Sequence, residues 1–130
     1  MKGQNLMKNK TYKVIIAMPF EKAEVYQIPA STDVLAKLVG GIMEFTNPIT
    51  DDVTVITNDN SIALGMEPNR VIRDEDGYPV DVYCGPMVII GETEDGELRS
   101  LTESEIILNL MAYGEPDFKK DEDGDTEAEA

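Results

Sequence analysis

The side chains of this sequence that could do chemistry are carboxylates, three arginines and one cysteine, because histidine is absent. Histidine is the usual general base and the commonest metal ligand in proteins. A serine triad, a cysteine–histidine pair and most zinc sites are therefore excluded in their usual forms. Cys84 has no second cysteine to pair with and no base to activate it, so we interpret it as a buried, inert thiol. The sequence predicts no catalytic residue, no metal site and no cofactor.

Carboxylates dominate the charge of the chain, which has 26 acidic and 11 basic residues and a formal net charge of −15. Nucleic acid and anionic membranes both need a basic surface, so neither is an expected direct partner. An acidic surface can instead compete with nucleic acid for a basic cleft on another protein. The other interpretation is that the acids only keep the protein soluble. If they bind a partner, the expected contacts are eight acids of the body: Glu44, Asp51, Asp52, Asp59, Glu92, Glu94, Asp95 and Glu97.

Asn69, Arg70 and Arg73 form a second candidate site, of a different kind. A guanidinium group presents a planar fork that suits a carboxylate or a phosphate. These three residues could therefore bind a small, nucleotide-like anion. The alternative is structural, in that the arginines satisfy nearby acids or the backbone carbonyls at a strand end.

Two acidic runs resemble calcium loops only superficially. A calcium loop needs ligands at alternate positions over 12 residues, with a bidentate glutamate at the last. Counted from Asp74, the twelfth position is Gly85, and counted from Asp121 the chain ends after ten residues. We interpret the first run as a turn and the second as part of a solvated tail.

The elements that must position these side chains predict an α+β fold. Apolar patterns bounded by turn residues predict short strands at 11–18, 24–28, 42–45, 53–56, 61–64, 80–83 and 86–90. The first two are expected to form a hairpin. The result is a single domain with a mostly antiparallel sheet of about five to seven strands and two short helices packed on it.

Both helices are predicted from their caps and apolar stripes. Ser31 is a good N-cap for the first helix, and Gly40 is free to adopt the left-handed conformation that ends it. Thr102 and Glu105 form a capping box for the second, which Gly114 ends. The predicted stripes are Val34, Leu35, Leu38 and Val39 in the first helix, and Ile106, Ile107, Leu110 and Met111 in the second.

Composition divides the chain into three parts. Residues 1–10 are polar and are expected to be a flexible N-terminal segment without the apolar run of a signal peptide. Residues 11–114 are the expected domain. Residues 115–130 contain eight acids and two lysines and are expected to be a disordered acidic tail. No stretch approaches the 18 apolar residues of a membrane span. The lone Cys84 fits a reducing compartment, so we expect a cytoplasmic protein.

The order and spacing of short motifs carry a family resemblance. The first helix ends in Leu38-Val39-Gly40-Gly41, Pro68-Asn69-Arg70 follows, Cys84-Gly85-Pro86 opens an apolar strand, and Ser100-Leu101-Thr102 enters the last helix. Over about Tyr12 to Ala112 this resembles the family labelled domain of unknown function 3846. The resemblance brings no catalytic residues. It implies an accessory gene of a phage or mobile element of low-GC bacteria, a setting in which small acidic proteins often act on host defence or on host nucleic-acid enzymes.

Together these patterns favour a non-enzymatic interaction protein that binds a basic surface on a host or phage protein. It would act as an inhibitor of a nucleic-acid-binding or defence protein, in the manner of a nucleic-acid mimic. The alternative is a small-ligand module that sequesters an anion through Asn69, Arg70 and Arg73. A third class, an enzyme that uses carboxylates alone, has no pair of carboxylates at a suitable spacing.

Overall fold

The strand Met87–Glu92 lies at the centre of the main sheet, and its apolar side chains alternate between the two faces of that sheet. Both faces of the sheet must therefore be covered. The structure, a computed structural model, describes residues 10–129. Its ten strands and two helices are β1 (Thr11–Ala17), β2 (Glu24–Pro29), α1 (Thr32–Val39), β3 (Met43–Thr46), β4 (Val53–Asn58), β5 (Pro68–Arg73), β6 (Pro79–Cys84), β7 (Met87–Glu92), β8 (Leu98–Arg99), α2 (Glu103–Tyr113), β9 (Phe118–Lys120) and β10 (Thr126–Ala128). The flexible segment predicted for residues 1–10 lies outside the described residues, except for Lys10.

The main sheet is antiparallel and has six strands. Five of them follow the order β2–β1–β7–β4–β3, and β8 pairs with the last two residues of β7. β1 and β2 form the predicted hairpin, with Thr11 opposite Pro29 and Ile16 opposite Glu24. Two separate hairpins, β5–β6 and β9–β10, complete the strands. The predicted α+β class, with a mainly antiparallel sheet and two helices, is confirmed.

Each face of the sheet has its own apolar core. On one face, Val14 of β1 and Val88 of β7 pack with Leu35 and Val39 of α1. On the other face, the core includes Ile15 of β1 together with residues of α2 and of the β5–β6 hairpin. The two helices therefore cover opposite sides of one sheet, and a substitution in either helix weakens a separate cluster.

The predicted helix caps are confirmed, but half of the apolar stripe predicted for α2 is wrong. The Ser31 hydroxyl caps α1, Gly40 ends it with a φ of 84°, and the Thr102–Glu105 capping box is complete. In α2, however, Ile107 is 58% exposed and Met111 is 80% exposed. The other half, Ile106 and Leu110, packs on the core with Tyr113, and Asn109 is buried beside them.

Three segments differ from the strands and tail predicted for them. The strand predicted at 61–64 is wrong, because these residues form turns that expose Ile62 and Leu64. Pro68–Arg73 is a strand that the pattern did not predict. In place of a disordered tail, the structure has the β9–β10 hairpin, where Lys120 lies over the Phe20 ring and 3.6 Å from the Glu67 carboxylate.

Candidate functional site

Six of the eight acids predicted to contact a partner lie at one end of the sheet. The register brings them together, because Val53 at the start of β4 pairs with Gly91 near the end of β7. The loop before β4 and the loop after β7 therefore meet at the same end of the sheet. We call these six residues the acidic end: Asp51, Asp52, Glu92, Glu94, Asp95 and Glu97.

Hydrogen bonds hold the two loops of the acidic end together. The Glu92 N–H donates to the Asp52 carbonyl at 2.9 Å. The Asn47 side-chain amide donates to a Glu92 carboxylate oxygen and to the Val53 carbonyl, both at 3.0 Å. Between the loops lies an open depression of about 870 Å³, lined by Thr50, Asp51, Asp52, Glu92, Thr93, Glu94 and Arg99. Four of the six acids, Asp51, Asp52, Glu92 and Glu94, thus line one open concave surface.

Arg99, the basic residue in this depression, already has a carboxylate partner. Its guanidinium donates to both oxygens of Glu105, at 2.8 and 2.9 Å, and to the Asp52 carbonyl at 3.0 Å. Hydrogen bonding from Arg99 lowers the pKa of Glu105 to about 2. None of the three ion pairs among residues 10–129 includes an acid of the acidic end. The charge of this end therefore stays available to a partner.

The remaining two predicted contacts lie elsewhere. Glu44 is in β3 opposite Thr57, and Asp59 follows the far end of β4. Since β4 has six residues at about 3.3 Å each, Asp59 is roughly 20 Å along the sheet from Asp52. The sequence thus predicts one dispersed acidic surface, whereas the structure separates a cluster of six acids from two distant ones.

The structure also divides the second candidate site, because it brings Asn69 and Arg70 together in the interior and leaves Arg73 at the surface. Arg70 is fully buried, and its guanidinium donates to the Tyr113 carbonyl at 2.8 Å, the Glu21 carbonyl at 2.6 Å and the Asn69 side-chain oxygen at 2.7 Å. It also lies 3.5 Å from the Met18 carbonyl. Arg70 therefore joins β5, the C-terminus of α2 and the β1–β2 turn.

Arg70 holds a strained turn and has no free face for a ligand. Between Met18 and Glu21, Phe20 has a φ of 71°, a conformation that bulky residues rarely adopt. Burial lowers the pKa of the Arg70 guanidinium, and the charges of Asp117 and Glu115 oppose that shift. This geometry fits the structural interpretation of Arg70, in which its guanidinium satisfies nearby backbone carbonyls.

The other two residues of that site are also placed apart from a common pocket. The Asn69 amide is buried and donates to the carbonyls of Ala17 and Gly85, both at 2.7 Å. Arg73 is exposed and donates to the Gly77 carbonyl at 3.1 Å, within the β5–β6 turn. A small anion could meet Arg73 alone, without the other two side chains.

A groove that the sequence did not reveal lies between β5 and α2. Its volume is about 540 Å³, and its lining residues are Pro48, Ile49, Val71, Arg73, Asp74, Glu75, Met111, Ala112, Tyr113 and Asp117. The stripe pattern assigned Met111 to the core, and only the fold shows that it borders this groove. The exposure of Ile49 and Met111 could not be deduced from apolar character alone.

Metal and thiol chemistry find no support among residues 10–129. No group of three or more Cys, Asp or Glu side chains in this part of the chain is arranged to hold a metal ion. Cys84 is half-buried, and burial raises the pKa of its thiol, which disfavours the reactive thiolate. Within the same residues, neither helix is long and apolar enough to cross a membrane.

The comparisons with known proteins identify a family. No curated protein and no solved structure matches the chain. The family model described as domain of unknown function DUF3846 matches residues 12–113, which includes β1 through α2. The match thus contains the whole main sheet, both helices and the acidic end. The chain belongs to the DUF3846 family.

Proposed function

We propose that the protein is a non-enzymatic interaction protein that binds a basic surface on a host or phage protein through its acidic end. The observation that carries the proposal is the gathering of six acids at one end of the sheet, where four of them line an open depression in which Arg99 is already paired to Glu105. By occupying a basic cleft, the protein would inhibit a nucleic-acid-binding or defence protein of the bacterial host.

Electrostatics supports this mode of binding. Exposed charges attract an oppositely charged partner over the screening length of about 8–10 Å at physiological salt. Such steering acts mainly on the association rate, while each exposed ion pair adds only about 0.2–1 kcal/mol. A cluster of acids therefore raises the association rate with a basic surface more than the same charges spread over the protein would.

Affinity capture from a lysate of the bacterium that carries the gene tests the proposal, with washes at low and at high salt. A partner with a basic surface should bind at low salt and be released as salt rises. Its association rate should fall about 2–10-fold for each of Asp51→Lys, Asp52→Lys and Glu94→Lys, as expected for charge reversal in a steered interface.

Glu44→Lys and Asp59→Lys are matched controls, since they make the same change in net charge away from the acidic end. They should lower the rate much less. Equal effects at all five positions would mean that only net charge matters, and the proposed site would be wrong. A nucleotide that copurifies with the protein and is lost in Arg73→Ala would instead favour the small-ligand alternative.

A further inference from the structure

We propose that the groove between β5 and α2 binds a short segment of the same partner, with apolar side chains in the groove and lysine or arginine against its rim. The inference rests on the proposed function for the class of partner. It adds the surface that would retain the partner once the acidic end has attracted it. The argument depends on three features of the groove: an apolar floor, an acidic rim and continuity with the acidic end.

The floor of the groove is apolar and open to solvent. Ile49 is 39% exposed and Met111 is 80% exposed, while Val71 and Tyr113 lie deeper. Exposed apolar side chains that line one depression could contact a partner, because their burial against apolar groups is favourable. Methionine is well suited to such a surface, because its unbranched side chain adapts to different partner shapes.

The rim of the groove is acidic. Asp74 and Glu75 lie at the β5–β6 turn, and Asp117 lies beside the C-terminus of α2. Arg73 is the only basic residue that lines the groove, so acids outnumber bases by three to one. Positive charges beside the apolar side chains of a partner would therefore be favoured, whereas an acidic segment would be repelled.

The groove is continuous with the acidic end. Pro48 and Ile49 line the groove, and the next residues, Thr50, Asp51 and Asp52, line the acidic depression. One loop between β3 and β4 thus borders both surfaces. Protein interfaces typically join an apolar centre to a charged periphery, and these two neighbouring surfaces have that composition.

Peptide selection on the full chain tests the groove without a known partner. Random 12-residue peptides displayed on phage are selected at physiological salt against the full-length Asp51→Lys/Glu94→Lys variant, which weakens the attraction of the acidic end but keeps the groove and its acidic rim. The strongest binders are synthesised and titrated against the protein. They should contain apolar residues flanked by lysine or arginine. Met111→Gln and Ile49→Gln should each weaken their binding at least 5-fold, since each replaces an exposed apolar side chain that lines the groove with a polar one.

Ile107→Gln is the matched control, because Ile107 is exposed on the same helix but does not line the groove. It should leave peptide affinity unchanged. The groove proposal is overturned if the selected peptides are unaffected by Met111→Gln and Ile49→Gln, or equally affected by Ile107→Gln. It is also overturned if sedimentation shows that the wild type is a dimer and that Met111→Gln is a monomer, because a second copy of the chain then occupies the groove. An increase in peptide affinity on deletion of residues 1–9 would likewise overturn it, since the chain's own segment would be the occupant.

The two proposals fail separately. If peptides bind the groove but charge reversals at the acidic end do not affect capture of the partner, only the proposed function is refuted. If capture of the partner is sensitive to salt and depends on Asp51 and Asp52 but is unaffected by Met111→Gln, only the proposed role of the groove is refuted.

Discussion

Replacing Arg70 by methionine should destabilise the protein strongly, because the guanidinium is a buried structural centre. Methionine keeps most of the length and apolar volume of the side chain but removes every donor. The carbonyls of Tyr113 and Glu21 and the Asn69 side-chain oxygen would then lose their partner. Each buried acceptor left unpaired costs about 1–3 kcal/mol, which sums to roughly 3–9 kcal/mol for three.

Two effects reduce that sum. The Glu21 carbonyl is only partly buried, so water can replace its donor in the variant. Removing the charge also recovers the free energy that was spent on desolvating a guanidinium without a carboxylate in contact. We therefore expect Arg70→Met to lower the free energy of unfolding by about 2–5 kcal/mol, towards the lower end of that sum.

Denaturant unfolding of the full chain measures this loss, with Arg73→Met as the matched control. Arg73 is exposed and makes one hydrogen bond, to the Gly77 carbonyl, so its replacement should cost at most about 1 kcal/mol. If Arg70→Met does not yield folded protein, Arg70→Lys gives a second measurement. Lysine restores a charge and up to three donors, so an intermediate loss is expected. Equal unfolding midpoints for the wild type, Arg70→Met and Arg73→Met would refute the structural role of Arg70.

Three further predictions concern the rest of the fold. Glu105→Gln keeps the capping box but removes the charge paired with Arg99. The folded pKa of Glu105, about 2, lies below its ordinary value of 4.5, so its contribution is complete above pH 4.5 and is lost as pH falls towards 2. The variant should therefore lose about 2–3 kcal/mol at pH 6 and almost nothing near pH 2 in urea titrations, and a pH-independent loss would contradict this. Removing residues 115–130 should leave the domain folded and cost about 1 kcal/mol, because Asp117 accepts a hydrogen bond from the Val71 N–H at 2.8 Å. A fall of more than about 10 °C in the thermal midpoint would show that the β9–β10 hairpin is integral to the domain. Leu35→Ala should cost about 2–5 kcal/mol in denaturant unfolding, since Leu35 is fully buried under α1, and an unchanged midpoint would refute its place in that core.

The parts of the fold that follow from local signals could be predicted from the sequence. The caps at Ser31 and Thr102 depend on residues three positions away, and β1 reveals itself by apolar residues on both faces. The second stripe could not be resolved, because Ile107 and Met111 are as apolar as Ile106 and Leu110. Which of these four side chains packs against the sheet depends on how α2 crosses the sheet. That packing is a tertiary property, which the local sequence does not determine.

The candidate sites show the same division between local and long-range information. The acidity of the loops is visible in the sequence, but their meeting depends on the pairing of β4 with β7, whose residues are more than 30 positions apart. Arg70 stands out in the sequence because arginine is rare in this acidic chain. A buried arginine and a ligand-binding arginine give the same sequence signal, and only the carbonyls of Tyr113 and Glu21 distinguish them.

The two surfaces on either side of the β3–β4 loop would contribute different parts of one binding reaction. Exposed carboxylates attract a partner from a distance, but each retains it weakly, because water and salt screen the pair. An apolar groove exerts no force at a distance, yet burial of apolar area stabilises the bound state and is not screened by salt. A protein with the acidic end alone would bind many basic surfaces briefly. The neighbouring groove would let it discriminate among them, because only a partner with apolar side chains beside its basic residues could occupy both.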